Sequence, residues 1–474
     1  MKICLVNPEK FTAQQMPLSL GYLISYIQKY DEDSHEFKVI DENADDDVEK
    51  ELLKFNPDIV GITSTTPQIT RAIEIANFIK DNLKIPVVTG GVHVTLLPKE
   101  TLLKSNFDVG IIGEGEITFF ELIQLLKNKN FVNNDLKKIK GICYKNGKDV
   151  IITEGRQLID NLDIIPFPAR EFFNLKYYLK PEAVVRGVIK RSTQIMSSRG
   201  CPYNCVFCSS FAINKRRFRI HSPRYVISEV EHLIKKYKIE ALFFQDDDFF
   251  VNEERAKKIC ELMIERGINE KLIWSVQMRA NRLNQDKIEN LKLLRKAGCI
   301  QVEFGFESGS PKILGFLKKN TVTVEQNHQA IKFCKQANLR VFGNFMIGTV
   351  GETREDLDMT KNFIIQHNKD LDSMGIFITT PLPKTELWDV CEKKGLLKGL
   401  EWENLKMDVT QKPRSFSDIF TQEELMDIYK EFTSLSIERY SLAFKIKKFA
   451  SNPTRYLSFL LPYFSYKIKK RIHK

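Results

Sequence analysis

The 474-residue sequence has no long apolar run, and no segment approaches the roughly 20 consecutive apolar residues that span a bilayer. The first residues, 1–8, also lack the apolar core and cleavage site of a secretion signal, and they have the pattern of a strand that ends in a turn. These two absences lead us to expect a cytoplasmic protein. At about 150 residues per domain, the length predicts two or three domains.

The sequence also lacks the cysteine pattern of a disulfide framework. Of its nine cysteines, three are clustered, at 201, 205 and 208. The other six lie in apolar or helical contexts and are predicted to be small buried residues: Cys4, Cys143, Cys260, Cys299, Cys334 and Cys391. We therefore expect a reducing compartment.

Net positive charge is small outside one segment. The formal net charge is +11, but residues 440–474 contain nine Lys or Arg and no Asp or Glu, so 11 minus 9 leaves about +2 for the rest. We therefore do not expect nucleic-acid binding by the body of the protein. The basic tail interleaves its cations with aromatic residues, and its apolar run 457–464 is interrupted by Pro462. Basic residues with aromatics can bind RNA or an anionic membrane, and the interrupted apolar run suits an interfacial membrane segment. A solvated, partly packed helix is an equal alternative to membrane contact.

The amino-terminal third alternates short apolar strands with amphipathic helices, which predicts an α/β fold with a doubly wound parallel sheet. Strands are predicted at 2–6, 37–41, 59–63, 87–90 and 109–112, and helices at 18–30, 44–55, 69–82, 96–103 and 119–127. Predicted domain limits are 1–135 for this region, 136–190 for a connector with a hairpin at Asn146-Gly147, 191–398 for a second α/β domain and 399–474 for a helical carboxyl-terminal region.

Short polar or glycine-rich segments follow four of the first five strands. Ligands bind doubly wound sheets at the carboxyl ends of the strands, and glycine lets a ligand approach the backbone closely. Ordinary strand-to-helix turns are the alternative. The candidate ligand-binding residues are Asn7, Ser64, Thr65, Gly90, Gly91, Val92, His93, Gly113, Glu114, Gly115 and Glu116.

The second domain repeats a strand and helix unit six times. Strands are predicted at 193–197, 241–245, 272–277, 301–306, 341–347 and 374–379. Six units are too few to close an eight-unit barrel, so the pattern predicts a partial barrel whose site lies at the carboxyl ends of the strands.

The clustered cysteines follow the first of these strands at a CxxxCxxC spacing. Three thiolates can converge on one iron–sulfur cluster, and because cubane clusters usually take four, one iron would stay open to a non-protein ligand. A zinc site completed by His221 is the alternative, although the motif itself holds only three ligands.

The string Cys201-Pro-Tyr-Asn-Cys205-Val-Phe207-Cys208, ahead of a six-unit array, resembles the motif of the radical SAM enzymes. The resemblance implies that the three cysteines hold a catalytic 4Fe–4S cluster, next to Phe207, and that the open iron binds S-adenosylmethionine. The reduced cluster would cleave this molecule to a 5′-deoxyadenosyl radical, with flavodoxin or ferredoxin as the external electron donor. Further cofactor-binding residues implied at the strand ends are Asp246, Asp247, Arg279, Glu307, Ser308, Gly348 and Glu352.

The first domain, placed ahead of such a barrel, resembles the cobalamin-binding domain of cobalamin-dependent radical SAM enzymes. It departs from the better-known pattern, since no Asp-x-His-x-x-Gly follows the first strand. Asp33-Ser-His35 is the nearest string, and it precedes the second strand. Many members of this subgroup also lack that histidine. His93 is interpreted as a polar residue of the loop and not as a cobalt ligand.

The two resemblances together imply a methyltransferase that acts on an unactivated carbon of a small-molecule or lipid-like substrate. One S-adenosylmethionine would methylate cobalamin, a second would give the radical, and the substrate radical would take the methyl group from methylcobalamin. Two alternatives stay open: cyclisation or rearrangement with the same cofactors, and a non-catalytic binding or sensor protein. A tRNA methylthiotransferase is disfavoured because only Cys4 and Cys143 precede the barrel.

Overall fold

A computed structural model describes residues 1–8, 15–128, 133–179, 181–182, 185, 188–405 and 413–437. The basic tail therefore lies outside the described residues. The chain divides into two compact units. Unit 1 is Met1–Lys180, Ser209–His221 and Glu401–Glu403, and unit 2 is Pro181–Cys208, Ser222–Leu400 and Asn404–Lys474. In the described part of the chain, no helix has both the length and the apolar character needed to cross a bilayer.

The strands and helices follow one another in regular alternation over most of the chain. The strands are β1 (Lys2–Asn7), β2 (Glu36–Asp41), β3 (Ile59–Thr63), β4 (Val87–Gly90), β5 (Val109–Ile111), β6 (Ile142–Asn146), β7 (Asp149–Ile152), β8 (Pro181–Glu182), β9 (Lys190–Ile195), β10 (Ser198–Arg199), β11 (Arg219–Ile220), β12 (Ala241–Phe244), β13 (Ile273–Met278), β14 (Cys299–Glu307), β15 (Arg340–Ile347) and β16 (Leu371–Ile378). The helices are α1 (Leu18–Tyr30), α2 (Val48–Phe55), α3 (Ile69–Asn82), α4 (Val92–Leu96), α5 (Pro98–Leu103), α6 (Glu116–Asn128), α7 (Asn133–Leu136), α8 (Leu175–Tyr178), α9 (Ser210–Asn214), α10 (Pro223–Tyr237), α11 (Glu253–Glu265), α12 (Ile288–Lys296), α13 (Pro311–Lys318), α14 (Val324–Gln336), α15 (Arg354–Gln366), α16 (Glu386–Lys393) and α17 (Gln422–Ile437).

Unit 1 contains a seven-stranded sheet in the order β2-β1-β3-β4-β5-β6-β7. Strands β1 to β5 are parallel, as predicted, and β6 and β7 pair antiparallel. Successive residues of β1 face two cores: Ile3 and Leu5 belong to one apolar cluster, Cys4 and Val6 to the other. The predicted doubly wound sheet is confirmed, and the predicted connector hairpin forms its last two strands.

Three helix predictions in unit 1 are wrong at their boundaries. The helix predicted at 119–127 begins three residues earlier, at Glu116. Helix α2 begins at Val48 and not at residue 44, because the Asp47 side chain accepts a hydrogen bond from the Lys50 amide and caps the helix there. The segment predicted as one helix at 96–103 is two helices, α4 and α5, which meet at Leu97. Pro98 begins the second helix, since proline suits the first helical position and disfavours helix in the residue before it.

Unit 2 contains a second seven-stranded sheet, in the order β16-β15-β14-β13-β12-β9-β8. Strands β9, β12, β13, β14, β15 and β16 are parallel and lie side by side in this order, while β8 pairs antiparallel with β9 at the edge. Together they form a curled half-barrel, which confirms the predicted partial barrel. The carboxyl ends of its parallel strands lie along one edge, and these ends carry the candidate site residues.

Candidate cofactor sites

The three clustered cysteines share a loop that follows β10 in unit 2. All nine cysteines are free thiols, and Cys201, Cys205 and Cys208 are partly exposed whereas the other six are buried. Backbone hydrogen bonds of Val206, to Leu317 O (3.0 Å) and from Leu387 N (2.9 Å), hold the loop between α13 and α16. The chain thus presents three thiols at one accessible place and keeps its remaining thiols in the cores.

The environment of these thiols bears on the metal they can hold. Burial raises the pKa of Cys201 to about 12, and the Asp247 and Asp248 carboxylates add to the rise. This thiol therefore becomes a thiolate when a metal displaces its proton. In the part of the chain that is described, no three His, Cys, Asp or Glu residues are placed to hold a single metal ion. In a cubane each cysteine binds a different iron, and three thiols in one loop fit that donor set.

Arg279, which follows β13, lies against the cysteine loop. Its Nη1 donates to Cys205 Sγ at 3.1 Å, and its Nη2 donates to Thr321 Oγ1 at 2.7 Å. Its guanidinium carbon lies 3.6 Å from the centroid of the Tyr203 ring. The sequence predicted contact with a cofactor or substrate carboxylate, and the structure places the guanidinium on a predicted cluster ligand.

Asp246 and Asp247, after β12, have different surroundings. Asp246 is buried and accepts hydrogen bonds from the amides of Ser197 (2.7 Å) and Ser198 (3.0 Å) and from the Ser197 hydroxyl (2.5 Å). It fixes the chain just before the cysteine loop. Asp247 is exposed and close enough to Cys201 to affect its thiol, so it is the better placed of the two to meet a ligand. The predicted contacts of Asp246 and Asp247 with the cofactor stay predictions.

Glu307 and Phe207 both contact one lysine, which the sequence does not mark as a site residue. Lys318 at the end of α13 forms a buried ion pair with Glu307 (2.7 Å), and its ammonium lies 5.4 Å from the centroid of the Phe207 ring. Glu307 has a left-handed backbone with φ of 59°. A charged residue at the end of an amphipathic helix gives no signal in the sequence that it turns inward.

Ser308 belongs to a buried hydrogen-bonded cluster between β14 and α15. Its hydroxyl lies 3.0 Å from Thr360 Oγ1 and accepts from the Ser310 amide at 3.1 Å. Ser310 in turn donates to Asp356 Oδ1 at 2.6 Å. These contacts shape the turn after β14, and the predicted contact of Ser308 with the cofactor stays a prediction.

Gly348 and Glu352 form the turn after β15. The fully buried Glu352 accepts from the amides of Gly348 (2.6 Å) and Thr349 (3.0 Å) through Oε2, while its Oε1 has no described partner. Burial raises the pKa of Glu352 to about 8 despite these two amides. A Cβ at Gly348 would lie 2.8 Å from Leu425 of α17. The group that packs closely against this glycine is therefore a side chain of helix α17.

In unit 1, the turns after β3, β4 and β5 leave room for a ligand. A Cβ at Gly90 would meet nothing within 4 Å, and the same is true at Gly113. The buried Ser64 hydroxyl has no hydrogen-bond partner among the described residues, and neither has Thr89 Oγ1. Open space beside glycine and an unpaired buried hydroxyl fit a bulky polar cofactor that contacts the backbone here.

Gly91, Val92 and His93 begin helix α4. Gly91 has φ of 99°, and a Cβ on it would lie 2.6 Å from Ser64 O, so this glycine is required by the turn. His93 is buried, with Nδ1 3.3 Å from Thr66 Oγ1 and its ring against Trp402. Burial lowers the pKa of His93 to about 4. The neutral ring packs within the unit, and its predicted place in the cofactor loop stays a prediction.

Asn7 and Thr65 bond to side chains of their own unit, Asn7 to the end of the neighbouring strand β2 and Thr65 to its own turn. Asn7 Nδ2 donates to the buried Asp41 at 2.8 Å, and Asp41 also accepts from the Tyr178 hydroxyl. Thr65 donates its amide to Gln68 Oε1 at 3.0 Å. Tyr178 lies in the predicted connector, where nothing in the sequence pointed to a site.

The turn at Gly113–Glu116 joins β5 to α6. Glu114 accepts from the Ile159 amide at 2.9 Å and forms a buried ion pair with Arg219 at 2.8 Å. A Cβ at Gly115 would lie 3.1 Å from Leu23, and Glu116 is the buried first residue of α6. Nothing in the sequence indicates this role for Arg219, because it stands in a basic stretch that has the pattern of an exposed loop.

His221 was the candidate fourth ligand of a zinc site. It belongs to unit 1, is buried, and places its Nδ1 3.3 Å from Asp163 Oδ1. The zinc alternative rested on the three cysteines of the motif, with His221 as a possible fourth ligand.

Comparison with known proteins matches both units to described families. Residues 195–364 match the radical SAM superfamily, and residues 14–123 match the B12 binding domain. A Pyrococcus horikoshii protein named as an uncharacterized methyltransferase, PH0819, is 37% identical over 415 residues, which are 85% of each chain. An anaerobic magnesium-protoporphyrin IX monomethyl ester cyclase from Cereibacter sphaeroides is 28% identical over 82% of this chain and 63% of that protein.

The fold has solved counterparts. The radical S-adenosylmethionine methyltransferase TsrM from Kitasatospora setae, solved with cobalamin and a [4Fe-4S] cluster, superposes with a TM-score of 0.69 at 20% identity, over 83% of this chain and 78% of that one. The protein described here is therefore an enzyme of the radical SAM superfamily that carries a B12-binding domain, and its cofactors are a 4Fe–4S cluster, S-adenosylmethionine and cobalamin.

Proposed function

We propose that this enzyme is a cobalamin-dependent methyltransferase that methylates an unactivated carbon of a small molecule. The observation that carries the proposal is the presence, in one chain, of a loop with three accessible thiols and a strand edge with open glycines and an unpaired buried hydroxyl. The 37% identity to a protein named as a methyltransferase supports it. When bound, the cluster supplies the electron that divides S-adenosylmethionine into methionine and a 5′-deoxyadenosyl radical, and cobalamin supplies the methyl group.

In unit 2 the chain would orient the cluster and S-adenosylmethionine. Cys201, Cys205 and Cys208 would hold three irons, and the exposed Asp247 carboxylate would accept a hydrogen bond from the methionine ammonium. Glu307, fixed by Lys318, presents a carboxylate to which ribose hydroxyls can donate. The buried Asp246 would act indirectly, by holding the start of the loop.

In unit 1 the turns after β3, β4 and β5 would hold cobalamin. Gly90 and Gly113 leave space beside the backbone, and the Ser64 hydroxyl can bond to a polar group of the cofactor. The neutral, packed His93 would line this edge without binding cobalt.

A second candidate function is cyclisation with the same cofactors, which the 28% identity to a cyclase favours. Anaerobic reconstitution with iron, sulfide and cobalamin, followed by incubation with methyl-deuterated S-adenosylmethionine and a small-molecule extract, separates the two. Methylation predicts 5′-deoxyadenosine together with a product that carries the deuterated methyl group. Formation of 5′-deoxyadenosine and an unlabelled product would support cyclisation, and an intact cluster without any 5′-deoxyadenosine would contradict both.

The proposal also names an electron donor and a membrane as partners of the enzyme. Flavodoxin or ferredoxin would deliver the electron, and the basic, aromatic tail at 440–474 would contact an anionic membrane that holds a lipid-like substrate. Sedimentation with liposomes of anionic lipid should retain the full chain more strongly than a chain that ends at residue 439. Equal retention would exclude the membrane role and leave the methyltransferase proposal intact.

A further inference from the structure

The guanidinium of Arg279 is held on three sides in unit 2. It stacks on the Tyr203 ring at 3.6 Å, donates to Thr321 Oγ1 at 2.7 Å and donates to Cys205 Sγ at 3.1 Å. Its side chain also approaches Asn281 Oδ1 at 3.5 Å. Arg279 is 9% exposed. Because stacking and two hydrogen bonds fix a planar group in both position and tilt, the contact with sulfur is built into the fold.

Within the described part of the chain, the charge of this guanidinium is not neutralised by a direct partner. Among the described residues, no carboxylate forms an ion pair with Arg279. The nearby Asp248 lies 3.5 Å from Arg282, a second cation of the same turn. Arg282 lies 5.3 Å from the Tyr203 centroid. The turn thus places two cations beside Tyr203, and the described contacts of Arg279 include a cysteine sulfur.

A positive hydrogen-bond donor at a ligand sulfur changes the redox chemistry of a cluster. Hydrogen bonds to the sulfurs and the net charge around the cluster set the reduction potential of iron–sulfur proteins. Reduction adds one electron and no proton, so the reduced cluster is the more negative form. A cation that donates to a ligand sulfur stabilises the reduced form more than the oxidised form, and it raises the potential.

We propose that Arg279 is a positioning residue that donates a hydrogen bond to the Cys205 sulfur and so sets the reduction potential of the cluster. This inference rests on the proposed function, since it assumes that Cys205 binds the cluster. It differs from the role predicted from the sequence, in which Arg279 binds a cofactor or substrate carboxylate. The two roles can be separated because only the first acts when S-adenosylmethionine is absent.

The test is a redox titration of the reconstituted enzyme, monitored by the electron paramagnetic resonance of the reduced cluster, without S-adenosylmethionine. For Arg279→Gln we expect a potential about 59 mV more negative, which is a tenfold change in the reduction equilibrium for one electron. Arg282→Gln is the control for loss of a cation from this turn, because Arg282 has no described contact to sulfur and, unlike Arg279, pairs with Asp248. We expect its shift to be less than half as large.

Thr321→Val is a milder variant that keeps Arg279 and removes one of its acceptors. It should shift the potential in the same direction by a smaller amount, which keeps the test decisive if Arg279→Gln holds less iron. Equal potentials in the wild type and Arg279→Gln, or equal shifts in Arg279→Gln and Arg282→Gln, would overturn the inference. An unchanged potential with weaker S-adenosylmethionine binding would assign Arg279 to the carboxylate. A wild-type chain that assembles no cluster would contradict the proposed function itself.

Discussion

At Glu352 the surroundings of one carboxyl group determine its charge. The side chain is fully buried, two backbone amides donate to Oε2, and Oε1 has no described partner. Burial outweighs the amides and raises the pKa from 4.5 to about 8. Glu352 is therefore expected to be neutral at pH 7, as a protonated acceptor that holds the turn after β15.

This charge state predicts how stability depends on pH. Because the folded pKa is raised, the contribution of Glu352 to stability is complete below about pH 4.5 and is lost as pH rises towards 8. Glu352→Gln mimics the neutral form, so it should gain stability relative to the wild type between pH 5 and pH 8, by an amount on the order of a few kcal/mol. Thermal denaturation at the two pH values measures this gain, with the exposed Glu355→Gln as control. A constant difference between Glu352→Gln and the wild type would show that the carboxyl is ionised in the folded protein.

Two adjacent glycines give a second prediction at the residue scale. A Cβ at Gly91 would lie 2.6 Å from Ser64 O in a left-handed backbone, whereas a Cβ at Gly90 would meet nothing within 4 Å. Gly91→Ala should lower the free energy of unfolding by about 1–3 kcal/mol through strain. Gly90→Ala should leave stability unchanged and weaken cobalamin binding several-fold, because its methyl group fills the space beside the backbone. Denaturation and cobalamin titration measure both effects. Unchanged cobalamin affinity in Gly90→Ala would remove this glycine from the site.

At the element scale, the segment Ser209–His221 follows the cysteine loop directly and belongs to unit 1. Arg219 binds Glu114 in a buried pair and also donates to Ile159 O at 2.8 Å. Arg217 binds Asp160 at the surface. The turn that was predicted to bind cofactor through Glu114 thus holds this segment.

Loss of the buried pair should loosen the segment. Arg219→Met leaves Glu114 buried without its cation, which typically costs about 3–5 kcal/mol, while an exposed pair contributes about 0–1 kcal/mol. Amide hydrogen exchange in residues 209–221 should therefore accelerate at least tenfold in Arg219→Met. It should change little in Asp160→Asn, the matched control at the exposed pair. Similar exchange in both variants would show that the buried pair does not hold the segment.

At the scale of the whole molecule, the predicted cluster ligands and the predicted cobalamin-binding residues lie in different units. The three cysteines lie in unit 2, and the glycine-lined strand edge lies in unit 1. Each unit has its own parallel sheet, so damage to one site need not disturb the other.

This division predicts separable losses. Cys205→Ala should abolish cluster assembly and the formation of 5′-deoxyadenosine, because no other described thiol replaces it in the loop. The same variant should still bind cobalamin with one cobalt per chain. Iron and cobalt analysis of the purified variant, with its absorbance spectrum, checks both statements. Parallel loss of cobalt would show that cobalamin binding depends on the cluster loop.

The sequence by itself determined the architecture and the main chemistry. Apolar periodicity predicted both parallel sheets, because a buried strand and an amphipathic helix each need a repeating pattern of side chains. The CxxxCxxC motif identified the cluster loop, since its three ligands are close along the chain.

The tertiary structure alone decided which polar groups meet. Arg279 with Cys205, Lys318 with Glu307, and Arg219 with Glu114 are pairs that lie 74, 11 and 105 residues apart in the sequence. Periodicity carries no information on such pairs, because a cation in a loop or at a helix end has the same pattern whether it is buried or exposed. Its partner is fixed only when the strands are ordered in the sheet and the loops are packed over their ends.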